Sequence, residues 1–482
     1  MQPPKALLLT TIICSLLITT SAISQESSPP EITLKEEVVL LSQPPPGSTI
    51  LPLSAVASPD LSKLAYSIRK DEGGFVIVND AVGAQHDAVG APLFSADSQR
   101  VAYLAYRGRH MFVVLDGKAG KLYDKVEYLK FSPDSKRFAY VATQGDQHLL
   151  VIDGNEDPPY DEIWHSLFSP DSSRFVYGAR KRKKWFVVES GKETEVIGGD
   201  LHFRFSPDSR RLAYTLGRRR GFVIQRYESF AVVDRKRFGP YGAFFMPLLF
   251  SPDSKHYAFS VGRGLGGAPA ILVWDGKETQ TPYDYIHDFV FSPDSRRLAY
   301  RGTASGKQTV ILDGREIPGN VDMSPIAFTP DSSQLAYCES RPDAVSVVIG
   351  DTEMLLPTPL YLGPFLTPDF STALGVVRDD DKMYVVVTGS TELQSEPYED
   401  ISSLSHHVFS PDSAHFAYTA KKDGEWLMVV DGVEGKQRFY EMVAPPVFDS
   451  PTHVRMIAVQ QPGHRFTRLE VQILPAAEQT EE

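Results

Sequence analysis

A phrase close to Phe-Ser-Pro-Asp-Ser-Lys-Arg-Leu-Ala-Tyr returns about every 40 residues along this chain, and a period of that length restricts the fold to units that stack on copies of themselves. Its Ser-Pro-Asp-Ser core is intact at 132–135, 169–172, 206–209, 251–254, 292–295 and 410–413, and worn at 58–61, 95–98, 329–332, 367–370 and 450–453. Measured at the proline position, the steps from 59 to 96, 133, 170 and 207 are all 37, and those that follow are 45, 41, 37, 38, 43 and 40. Eleven repeats result.

Each repeat reads as four short strands. In the third, 128–131 is apolar, and Ser-Pro-Asp-Ser turns the chain because Pro presets the turn and Asp bonds nearby amides. A strand over 137–142 and a β-branched run over 149–152 follow, and Asp153-Gly154 is the dipeptide of a type I′ hairpin before a polar outer strand running towards Tyr160. Such a meander cannot bury both faces alone. Radial stacking of four-stranded sheets is a β-propeller, so the expected class is all-β with about eleven blades.

The Ser-Pro-Asp turn, a basic residue and Leu-Ala-Tyr or its variants resemble the TolB-type, WD40-like repeats of bacterial propellers from Ser58 to the C-terminus. The resemblance implies the blade. It leaves function open, because the same blade occurs in envelope scaffolds, in gating domains of serine peptidases and in some polysaccharide lyases. Neither an α/β domain before the repeats nor a peptidase domain after them is expected.

Propellers usually have about 4 to 8 blades, so eleven repeats suggest two rings in tandem. The long step of 45 places the division at 245/246, giving 52–245 five repeats and 246–475 six. A division of four and seven, or one large ring, stays open, since the surplus residues at 218–228 resemble a lengthened loop. The stretches 32–41 and 466–474 both look like strands, and either could complete a terminal blade.

Lys5, the apolar run 6–20 and the small residues at 22–24 form a secretory signal peptide over 1–24, with the mature chain starting at Gln25. Residues 25–51 read as a proline-bearing leader and 476–482 as a polar tail. No later segment is apolar enough for a membrane helix, so an exported protein, periplasmic or extracellular, is expected. Cys338 is the only cysteine of the mature chain and, following Leu-Ala-Tyr, is expected to be a buried structural thiol.

Net charge is −12, but 174–237 carries 17 Lys and Arg against 7 Asp and Glu. Arg180, Lys181, Arg182, Lys183 and Lys184, and then Arg218, Arg219 and Arg220, occupy the loop between second and third strands of successive repeats. In a meander that loop shares one end of the blade with the start of the innermost strand. There, three residues before the motif Phe, stand Tyr128, His165, His202 and His406. The basic loops are candidates for an anionic partner, and the four mouth residues for a binding site. Tyr-Asp or Tyr-Glu pairs, such as Tyr123-Asp124 and Tyr160-Asp161, precede the same crossing.

No catalytic set, cofactor motif or metal-ligand spacing is found. Gly262-Arg-Gly-Leu-Gly-Gly267 mimics a dinucleotide fingerprint, but an apolar strand over 270–274 follows where a helix is required. Nucleic acid is not expected as a partner, since the basic stretch lacks a reading module. The favoured function is a non-catalytic scaffold holding a protein or an anionic polymer, such as an acidic glycan, on one loop face. The alternative is a propeller enzyme, lyase or hydrolase, acting on acidic polysaccharide with His165 or His202 moving a proton or binding metal.

Overall fold

The third repeat folds into antiparallel strands Lys125–Phe131, Phe138–Gln144, Gln147–Ile152 and Asn155–Glu156. Asp153 and Gly154 take φ of 53° and 81°, the double left-handed turn that a two-residue hairpin requires. The computed structural model describes residues 32–220, 226–262, 269–317, 323–402 and 408–475. Within them are eleven such sheets in a β-propeller ring, blades 1 to 11 in chain order, and no helix. In blades 1 and 2 the innermost strand is split into two short segments. First strands of successive blades approach one another, as in blades 4 to 8, and so line the axis.

The repeated motif is a belt between blades. In Ser169-Pro-Asp171-Ser172 the Ser169 hydroxyl donates to Asp171 Oδ1 at 2.6 Å and accepts from Arg174 N–H, which locks the turn. The Asp171 N–H then donates to Ser209 Oγ of the next blade at 2.9 Å. Equivalent bonds run from Asp60 to Ser98, Asp97 to Ser135, Asp134 to Ser172, Asp208 to Ser254, Asp253 to Ser295, Asp294 to Ser332 and Asp369 to Ser413. Where the fourth residue is Leu61, Phe370 or His453, it has no hydroxyl to receive that bond. The basic residue of the motif strengthens the belt. Arg174 pairs with Glu189, donates to the carbonyls of Ser209 and Arg210, and lies over the Phe205 ring.

A second belt runs along the rim. Tyr123, Tyr160, Tyr241 and Tyr283 each donate a hydroxyl to a glutamate on the outer strand of the following blade, namely Glu156, Glu193, Glu278 and Glu316, at 2.6–2.7 Å. The acidic residue after the tyrosine caps a hairpin of that blade. Asp124 accepts from Gly145 N–H, Asp161 from Arg182 N–H and Asp284 from Ser305 N–H. The Tyr-Asp pairs are therefore structural.

The division expected at 245/246 does not interrupt the ring. Asp208 bonds Ser254 across it, and one apolar cluster joins Ala213, Val233 and Tyr241 of blade 5 to Phe250, Phe259 and Val261 of blade 6. The surplus residues behind the step of 45 are taken up inside blade 5, whose hairpin strands Leu212–Arg220 and Arg226–Val233 are longer than Phe175–Lys181 and Lys184–Glu189 of blade 4. At the other seam Leu64, Tyr66 and Ile68 of blade 1 share a cluster with Ile457, Val459 and Phe466 of blade 11. Ile32–Ser42 forms the outermost strand of blade 11 against Arg465–Pro475, with Ile32 opposite Pro475 and Leu40 opposite Thr467. The two candidate closing strands pair with each other. Segments 1–24 and 476–482, and the glycine-rich stretch after Gly262, lie outside the described residues.

In blade 10 His415 takes the place of the belt arginine, its Nδ1 2.6 Å from Asp431 Oδ2. That hydrogen bond lifts the imidazole above its ordinary value, against the opposing effect of burial. A raised folded-state value means that the contribution is full below the unfolded value near 6.5 and is lost as pH rises through the folded one. Between pH 6 and pH 8 the wild type is expected to lose thermal stability that His415→Gln does not lose. Equal losses in both proteins would show that this pair does not contribute.

Candidate functional site

Both belts hold the ring together, so functional side chains are to be sought where neither belt runs. The innermost strands supply them. In blades 3, 4 and 7 the ladder slips at Glu127/Lys130, Trp164/Leu167 and His287/Val290, and the bulged residue three before the motif Phe takes positive φ: Tyr128 58°, His165 51° and Asp288 55°. Bulges re-aim side chains. Tyr128 and His165 are exposed as a result.

Blade 5 departs from this pattern. Its slip lies earlier, at Gly199/His202, and Asp200 carries the positive φ of 58°. His202 then pairs regularly with Thr215, and Asp200, His202 and Arg204 alternate on the exposed side of the strand. The imidazoles of His165 and His202 come together across the blade boundary, with centroids 4.8 Å apart and planes inclined by 41°. Partial burial, and then His202, hold His165 below the ordinary imidazole value; Asp200 opposes this shift and Lys130 adds to it. Lys130, itself lowered by burial, donates to the Ser166 carbonyl. Proximity of His165 and His202 was legible in the repeat register, whereas Asp200 and Lys130 escaped sequence reasoning because neither occupies the recurring mouth position.

The basic hairpin of blade 4 lies at this end, but its charge is largely matched. Arg180 pairs with Glu162, Lys181 with Glu193 at 3.7 Å and Lys184 with Glu195 at 2.8 Å, while Arg182 caps Asp161 through its backbone. Arg180 also lies over the Trp185 ring. Lys183 is exposed at the tip. In blade 5 Arg218 pairs with Glu228 at 2.8 Å; the side chains of Arg219 and Arg220, and all of His406, lie outside the described residues. Counting cations along the sequence missed these partners because the acids stand on neighbouring strands, 10 to 18 residues away.

Aromatic exposure is more telling. Among the described residues, the large aromatic side chains left exposed are Tyr128 (61%), Tyr285 (54%), Tyr361 (50%) and Tyr440 (57%). All four belong to the innermost strands of blades 3, 7, 9 and 11, with Tyr285, Tyr361 and Tyr440 at or directly before the strand start and Tyr128 at the bulge in mid-strand. Their distances from the motif differ, which hid all but Tyr128 in the sequence. Beside Tyr440, a cleft of about 700 Å³ opens between blades 1 and 11, lined by Pro45, Leu51, Leu53, Met442, Val443 and His464.

Cys338 is buried, and burial pushes its thiol up to about 12, as befits a structural position. No helix among the described residues is long and apolar enough to cross a membrane.

The fold and this end of the ring define a β-propeller. No family model matches the sequence and no curated protein does. Among solved structures, the chain is similar to the β-propeller domain of the Trilobed protease from Pyrococcus furiosus, at 12% identity and a TM-score of 0.28 over 56% of this chain and 95% of that one. TolB from Acinetobacter baumannii aligns at 17% identity and 0.23 over 56% and 80%, and the Cps50 (Swd1) propeller of Myceliophteria thermophila at 12% and 0.25 over 58% and 98%. At such values nothing those proteins do carries over.

Proposed function

We propose that this protein is an exported, non-catalytic binding scaffold that holds a protein or an anionic polymer, such as an acidic glycan, on the loop end of its ring. The observation that carries this reading is that Tyr128, Tyr285, Tyr361 and Tyr440 stay exposed on, or directly before, the innermost strands of one ring. A soluble ring gains nothing by leaving its rings in water there, whereas tyrosines with an apolar body and a polar tip are suited to a partner's surface. The cations of blades 4 and 5 lie at the same end, but Arg180, Lys181, Lys184 and Arg218 are matched by neighbouring carboxylates, so they add little to the attraction of an anionic partner. Export rests on the leader at 1–24. The alternative enzyme reading draws on the His165–His202 pair, in which partial burial lowers the affinity of His165 for a proton.

The test is retention of the mature chain, from Gln25, on a panel of acidic and neutral polysaccharides, with ultraviolet absorbance followed for unsaturated products. Retention without product, reduced about tenfold or more in a Tyr128→Ala, Tyr285→Ala, Tyr361→Ala variant, is the expected result for a glycan partner, by the share of binding that central aromatics carry. Absorbance that grows with time would replace the scaffold with a lyase. With neither signal the partner would be a protein.

A further inference from the structure

We propose that His165 and His202 form a binding site for one divalent transition-metal ion at the mouth of the channel. Two imidazoles on one ion, each with its nitrogen about 2.0–2.1 Å from the metal, place their ring centroids about 4.5 to 5.2 Å apart for ligand angles between about 90° and 110°. The observed separation of 4.8 Å falls within that window. The 41° inclination is far from a parallel stack, so the arrangement is not face-to-face packing of two rings.

The pair depends on an irregularity found in blade 5. With its bulge at the position used in blades 3, 4 and 7, residue 202 would be the one with positive φ; moving the slip to Gly199/His202 returns His202 to regular pairing and gives the strained backbone to Asp200. Bulges of this kind aim side chains. Asp200 and His202 lie on the same exposed side of the strand, so the carboxylate sets negative charge beside the imidazoles. Lys130 acts electrostatically on His165, and its ammonium is turned to the Ser166 carbonyl.

Two imidazole donors select the ion class. Hard cations such as Mg²⁺ and Ca²⁺ require oxygen ligands, whereas imidazole suits Zn²⁺, Ni²⁺ and Cu²⁺, with Cu²⁺ bound most tightly at a given donor set. No three metal-ligating side chains converge among the described residues. The remaining coordination positions are therefore filled by water or by a carboxylate from a bound molecule. Both histidines are exposed, so an ion reaches them directly.

This inference is independent of what the loop end holds, since it can be tested with the metal alone. Calorimetric titration of the full mature chain with Ni²⁺ is expected to show one site per chain. His165→Ala and His202→Ala should each weaken that site at least tenfold, while His110→Ala, exposed in blade 2, should leave it unchanged. Thermal midpoints of the variants should match the wild type, because neither ring is in the core. Unchanged Ni²⁺ affinity in either single variant, or an equal loss in His110→Ala, would overturn the assignment. Replacing the pair by His165→Asn and His202→Asn, which keeps polarity without imidazole, should abolish uptake as well; uptake surviving in that protein would also overturn it.

Discussion

A chain that begins after Ser42 is expected to lose most of its stability, even though only one strand of more than forty has been removed. Ile32–Ser42 is the outer edge of blade 11, and it touches three blades. Leu34 and Val38 pack into the blade 11 core, Leu41 into the seam with blade 1, and the buried Ser42 hydroxyl bonds Tyr66 of blade 1 at 2.8 Å. The Glu36 carboxylate accepts from Lys436 N–H of blade 10 at 3.0 Å. Fully burying an aliphatic side chain is worth about 1.5–3 kcal/mol, so three that are largely covered contribute about 4–6 kcal/mol. That is the scale of a domain's whole stability. Calorimetry of the truncated protein should show a transition lowered by about 5 °C or more, and addition of a peptide spanning 32–42 should raise it. An unchanged transition would mean that the ring closes without this strand.

Arg211→Ala is expected to cost about 2–3 kcal/mol, a large effect for a side chain that is partly exposed. Its Nε pairs with Asp234 at 2.8 Å, its other nitrogen donates to the carbonyls of Ser254 and Lys255 at 2.9 and 2.6 Å, and the guanidinium lies over Phe250 and Tyr257. All of those partners except Asp234 lie beyond 245/246. The substitution thus removes a tie across the position where the repeat spacing suggested two separate rings, and urea unfolding should detect it. Arg211→Lys should recover less than half, because an ammonium cannot reproduce the fork that reaches a carboxylate and two carbonyls together. A cost near zero would indicate that blades 5 and 6 do not depend on each other.

Blade architecture could be read from the sequence because its turn chemistry is local. Pro and Asp at fixed places in the turn, and Asp153-Gly154 ahead of the outer strand, specify the meander without reference to neighbours. Ring closure could not be read in this way. Whether Asp208 bonds a serine of the next blade or stands at a free end depends on Ser254, 46 residues on, and nothing in the spacing distinguishes these cases. The same holds for the site. His165 and His202 were legible because both keep register with the motif, while Tyr285, Tyr361 and Tyr440 stand at three different distances from it. Their gathering appears only when the strands share an axis. The basic hairpins show the opposite failure. Arg180, Lys181 and Lys184 form a run in the sequence, yet Glu162, Glu193 and Glu195 neutralise them from adjacent strands.

One arrangement underlies these results: all eleven blades lie on one circle, so that the innermost strands bearing or following Tyr128, Tyr285, Tyr361 and Tyr440 surround a single channel. Electron-microscopic averages of the purified mature protein viewed down its axis test this most directly. The structure predicts one annulus with eleven spokes around one channel. Two smaller discs joined side by side would contradict it, and would separate Tyr128 from the other three tyrosines.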